Sequence, residues 1–209
     1  MMFSRPLGRG LALALLGVLL AGCISLLPKT KPAQLYRFGA EPIASPPAAP
    51  GQARFTVRAA ASSFDRASAS DRILTVTGAE TAYIAGARWV TPAVTMFDEA
   101  VVHAFDRHGG AARLLALGET ARADYSLKLD VRRFEARYDH GAQAAPTIVV
   151  EVYAALDNPS DLAANREHIF QATIPADENR VGAISAAFDR AVAKVLAELI
   201  EWVDTRGAG

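Results

Sequence analysis

The chain carries a single cysteine, Cys23, directly behind a short apolar run. One thiol closes no disulfide within the chain and builds no thiolate metal site, so the fold that follows has to be held by an apolar core. The run itself, from Leu11 to Leu20, is about ten residues, whereas a helix that spans a bilayer needs about 20. Arg5 and Arg9 precede it, and the small residues Ala21 and Gly22 follow it. A positive leader, a short apolar stretch and small residues at a cut describe a secretory signal that is removed, here residues 1–22. About 187 of the 209 residues remain, enough for one domain with a sizeable core. The chain has 22 basic and 22 acidic residues, and two of the bases leave with the signal. The balance left is slightly acidic and excludes recruitment of nucleic acid by bulk charge.

The tetrapeptide Leu20-Ala21-Gly22-Cys23 resembles a bacterial lipobox. The resemblance implies diacylglycerol on the Cys23 sulfur, cleavage between Gly22 and Cys23, and acylation of the new amino terminus. Small side chains let a protease approach the backbone, and a thiolate is the strongest nucleophile available to receive the lipid. Several acyl chains together make a stable anchor. Ile24 stands where an Asp would mark retention at the inner membrane, so the expected place is the outer membrane, facing the periplasm. Residues 23–33, with Pro28 and Pro32, read as an extended lipidated tether.

A domain over residues 34–204 follows. Gln34 to Phe38 reads as a first strand, and Glu41 to Gly51, rich in proline and alanine, as a spacer. Phe55, Val57 and Ala59 alternate with polar residues, and Ile73 to Thr77 forms another strand closed by Gly78. Ala79 to Ile84 is extended, while Ala85 to Trp89 reads as an irregular connector. Thr91-Pro92 predicts a helix start with a hydroxyl cap and Pro at the first helical position. Val94, Phe97, Val101, Phe105 and His108 make its stripe, and Gly109-Gly110 stops it. Arg113 to Leu117 is a short strand. Asp124 to Tyr138 is a long one whose apolar parity switches at Arg132-Arg133, which predicts a bulge. Thr147 to Leu156, apolar on both faces, reads as a central strand, and Arg166 to Ile174 follows. Asp177 or Asn179 is expected to cap a last helix with Val181, Ile184, Phe188, Ala191, Val195, Leu199 and Trp202 inward. The order predicts a single α+β domain, a mainly antiparallel sheet with two amphipathic helices packed on one face.

Chemistry is scarce. No nucleophile elbow, zincin, Walker or Rossmann pattern occurs in the mature chain. His103 and His108 are five apart on a helix and do not share a face; His140 lies in a turn, and His168 shares the apolar side of its strand. Asp98-Glu99 and Asp177-Glu178 diverge as adjacent residues. The expectation is no enzyme, no cofactor and no metal site. One constellation stands out: Tyr83, Arg88 and Trp89. Trp89 either plugs the core beside the first helix, or joins Tyr83 and Arg88 in an aromatic and arginine patch for a protein partner.

Several stretches together resemble one family: the lipobox, Leu35-Tyr36-Arg37-Phe38, Asp71-Arg72-Ile73-Leu74, Tyr83-Ile84-Ala85-Gly86-Ala87-Arg88-Trp89 with an amphipathic helix behind it, and Ala123-Asp124-Tyr125-Ser126-Leu127. The chain is similar over about residues 34–203 to the ABC-type transport auxiliary lipoproteins. That resemblance implies an outer-membrane lipoprotein working with an MCE-domain protein and an ABC permease and ATPase complex to move lipid between two membranes. It also implies that members assemble into homo-oligomeric rings. The family usually shows adjacent tyrosines in the first strand, where this chain has Tyr36-Arg37-Phe38. A structural or assembly lipoprotein of the cell envelope, such as an activator of an envelope synthase, is the alternative.

Overall fold

One thirteen-residue strand, β7 (Tyr125–Arg137), is the seam on which the rest is built. The computed structural model describes residues 32–39, 53–116, 118–161, 163 and 165–207. The signal, the lipobox, nearly all of the tether and the Pro/Ala spacer lie outside them. Along one edge β7 pairs antiparallel with β8 (Thr147–Asp157) from end to end, and β8 pairs antiparallel with β9 (Arg166–Pro175). The other edge is shared by three short strands placed one after another. These are β2 (Phe55–Ala59), β3 (Ser63–Phe64) and β4 (Arg72–Thr77), all parallel to β7.

Two further layers of pairing extend that edge. β6 (Ala112–Leu114) adds parallel to β2. β5 (Glu80–Trp89) folds back antiparallel on β4, and β1 (Gln34–Tyr36) lies parallel to β5. The α+β fold is the expected one, and its long ladders are antiparallel, but the short parallel pairings make the sheet mixed. Parallel neighbours must be joined by crossovers, and the loops and helix between the short strands supply them. The expected bulge is present: the register with β8 shifts between Val131 and Arg133. Residues Leu127, Leu129 and Val131 before it, and Phe134 and Ala136 after it, all face the core.

Both helices pack into that core. α1 (Ala93–His108) buries Ala93, Met96, Phe97, Ala100, Val101 and Phe105, and α2 (Val181–Gly207) buries Ile184, Phe188, Ala191, Val195, Leu199 and others. Gly109 ends α1 in the left-handed conformation at φ 57°, with its N–H on the Phe105 carbonyl. The helix starts differ from expectation. Pro92 is the cap residue and the Thr91 hydroxyl makes no capping bond. The carbonyls of Ser70 and Ala69 take the Ala93 and Val94 N–H groups instead, at 3.0 and 3.5 Å. Polar atoms of the loop before β4 thus do what a side chain was expected to do. At α2, Asn179 accepts from the Tyr138 hydroxyl at 2.9 Å and Asp177 meets Arg190 at 3.3 Å, so both side chains are used elsewhere.

Gly39 fixes where β1 leaves the sheet. Its φ of 70° suits glycine, and a Cβ there would stand 2.7 Å from the Ala100 Cβ on α1. Its N–H donates to Asp189 Oδ1 on α2 at 2.6 Å. The chain passes between the two helices at the one residue that has no side chain to obstruct it.

Candidate functional site

Residues Ala85 to Trp89, expected to be irregular, complete strand β5. Successive side chains of a strand point to opposite faces, and this separates the three residues singled out above. Trp89 is 2% exposed. Its ring packs edge-on against Phe38 with centroids 5.1 Å apart and against Phe188 at 5.3 Å, with Phe134 at 6.3 Å. It is the centre of an aromatic cluster and offers no face to a partner.

Arg88 points the other way, to the surface, where its guanidinium meets the Asp71 carboxylate at 2.8 Å. Tyr83 is half-buried and donates its hydroxyl to the Ala67 carbonyl at 3.0 Å, while the Arg72 guanidinium lies 3.7 Å over its ring. Arg72 is the register partner of Arg88. The surface group is therefore Asp71, Arg72, Tyr83 and Arg88, and Trp89 sits beneath it. Sequence reasoning missed Arg72, although it stands in the same motif as Ile73 and Leu74.

The outward face of β7 carries a second run of charge. Arg133 meets Glu135 at 2.7 Å and Arg137 meets Asp139 at 3.1 Å. Arg137 holds the Asp139 carboxyl below the usual carboxylate range. Lys128 pairs with Asp157 at 2.7 Å, and Arg132, at the bulge, stacks over Tyr153 at 4.4 Å. These charges are matched in place and form a solvated face.

A third feature had no signal in the sequence. Between the end of β2, the middle of α1 and the segment after β6 lies a cavity of about 430 Å³, lined chiefly by alanine, valine and leucine. It draws on the chain from Arg58 to Ser62, on Val101 and Val102 of α1, on Leu114 and Leu115 and on Leu129 of β7, segments far apart in the chain. Among the described residues no group of three His, Cys, Asp or Glu side chains stands close enough to hold a metal, and no helix is long and apolar enough to cross a membrane.

Comparison with known proteins decides the family. The model of the ABC-type transport auxiliary lipoprotein component matches residues 38–200. The chain belongs to that family. Among solved structures, this auxiliary lipoprotein is similar to protein XCC0632 from Xanthomonas campestris, with 30% identity and a TM-score of 0.69 over 84% of this chain and 97% of that one. A second structure, of an uncharacterized protein, shares the fold at 10% identity and a TM-score of 0.64, covering 83% of this chain and 99% of its own. No curated protein matches the chain. The family match spans every described strand from β2 onward, all of α1 and most of α2, including the Asp71, Arg72, Tyr83 and Arg88 surface group and the apolar cavity.

Proposed function

We propose that this auxiliary lipoprotein is a non-catalytic, periplasm-facing component of an MCE and ABC-type system that moves lipid between membranes. Cys23 holds it to the outer membrane, the tether sets its reach, and the α+β domain docks the MCE-domain partner. Hydrolysis of ATP belongs to the ATPase of the complex, and this chain contributes position, in a homo-oligomeric ring.

The match of the auxiliary lipoprotein family over residues 38–200 carries the reading. The surface group around Arg88 supports it, since arginine and tyrosine concentrate where proteins bind one another. Its test is affinity purification of the tagged, full-length protein from cross-linked membranes, followed by mass spectrometry. Recovery of an MCE-domain protein with ABC permease and ATPase subunits is the expected result. Recovery of envelope synthase subunits in their place would favour an assembly role.

A further inference from the structure

The edge of β7 passes from β2 to β3 across residues 60–62, and this handover leaves a hole in the packing. The Ala60 N–H still donates to the Leu127 carbonyl at 3.1 Å, and the Asp65 N–H to the Val131 carbonyl at 3.1 Å. Where the edge changes hands, Ala59, Ala60, Ala61 and Ser62 have small side chains that fill little space. Val101, Leu115 and Leu129 are buried at the floor of the cavity, and Val102 is 45% exposed on its wall.

Most polar groups nearest the cavity are satisfied by the chain itself; the buried Ser62 hydroxyl, which has no partner, is the exception. Asp98 accepts the Ser62 N–H at 3.0 Å. The Arg58 guanidinium donates to the Glu119 and Ala121 carbonyls at 3.1 and 2.6 Å. On the outer turn of α1, Glu99 and His103 stand four residues apart and are exposed. A ligand here is recognised chiefly by its apolar area.

We propose that this cavity takes an acyl chain of a membrane lipid, with its headgroup left outside beside Glu99 and His103. The inference rests on the lipid-transport reading and adds to it that this chain itself touches lipid. The volume of about 430 Å³ lies within the roughly 300–1,000 Å³ of sites that bury small apolar ligands, which is room for an acyl chain. Each methylene removed from water strengthens binding by up to about fourfold.

The test places the photoreactive residue p-benzoylphenylalanine at Val102 or Ala60 of the full-length protein in living cells. The same residue at Val90 and Ile169, equally exposed apolar positions elsewhere, supplies the controls. After irradiation, purification and intact mass measurement, a phospholipid adduct is expected at 102 and 60 and absent at 90 and 169. Adding Ala60→Trp to the Val102 probe fills the cavity and abolishes its adduct; should that variant not fold, the comparison of probe positions stands alone. Equal adducts at all four positions, no adduct at 102 and 60, a cross-link to protein, or a link to the acyl chains on Cys23 itself would each overturn the proposal. Partner recovery from the same membranes separates the two readings. With the MCE partner present and no lipid adduct, the cavity proposal fails alone; with the adduct present and no partner, the transport reading fails alone.

Discussion

The indole of Trp89 meets the ring of Phe188 at 87° between planes, with centroids 5.3 Å apart, joining the last residue of β5 to the first third of α2. Trp89→Ala would empty the centre of the aromatic cluster and is expected to cost about 3–5 kcal/mol. Arg88→Ala, whose ion pair with Asp71 is nearly half exposed on both sides, should cost less than about 1 kcal/mol. Urea unfolding of the two variants checks the difference. A folded Arg88→Ala protein is then the one in which loss of partner capture can be read.

Gly39 gives a second prediction. Gly39→Ala forces a side chain into the left-handed region, worth about 1–2 kcal/mol, and drives its Cβ against Ala100. The total should exceed about 2 kcal/mol once the clash is added, visible as a lower urea midpoint with an unchanged slope. Gly78→Ala is a control, because its φ is also positive and nothing stands within 4 Å of a Cβ there; it should lose the backbone cost alone.

Asp124 links stability to acid. Its carboxylate accepts the Thr56 N–H at 2.8 Å and the Thr56 hydroxyl at 2.8 Å, and these bonds hold its pKa below the usual carboxylate range, with Arg122 adding a smaller pull. A folded-state pKa below the unfolded value means stability that is present above about pH 4 and is lost as pH falls through the folded value. The group is exposed, so the contribution is under about 1 kcal/mol. Asp124→Asn should be less stable than the parent at pH 6, and the gap should close towards pH 2 when urea midpoints are compared.

Cys23→Ala tests the anchor. The parent is expected to show acyl chains on residue 23 and no residues 1–22 by intact mass, while the variant keeps its leader and carries no acyl chain. An unmodified sulfur on the mature parent would remove the lipoprotein premise for this chain.

Much of the fold can be read in the residues because neighbouring side chains encode it locally. The parity change at Arg132-Arg133 marks the bulge, the three- and four-residue spacing marks both helices, and Gly109 marks the end of α1. Pairing direction is not local. The short strands β2, β3 and β6 lie parallel to distant partners, and five or fewer residues hold no trace of which way a neighbour runs. In β5, Ala85, Gly86 and Ala87 hide the alternation, since small side chains look alike on either face. The candidate patch had a readable clue in the adjacency of Arg88 and Trp89, because consecutive strand residues face opposite sides. The cavity had none. It arises from the absence of bulk at Ala59 to Ala61, opposite segments some forty and more positions away along the chain.

The long seam strand has a consequence for how the molecule comes into being. β2, β3 and β4 precede β7 by scores of residues, yet each has its hydrogen-bonding edge completed only by β7. A chain emerging from its amino end therefore carries three unfinished fragments until Arg137 appears, with α1 covering only part of their inward face, as where Phe97 packs on Phe64, until α2 follows. Such non-local closure makes for slow assembly and leaves no smaller autonomous half. A truncation before β7 should yield aggregates, and a helper that shields nascent strands would matter more to this protein than to a helical bundle of equal length.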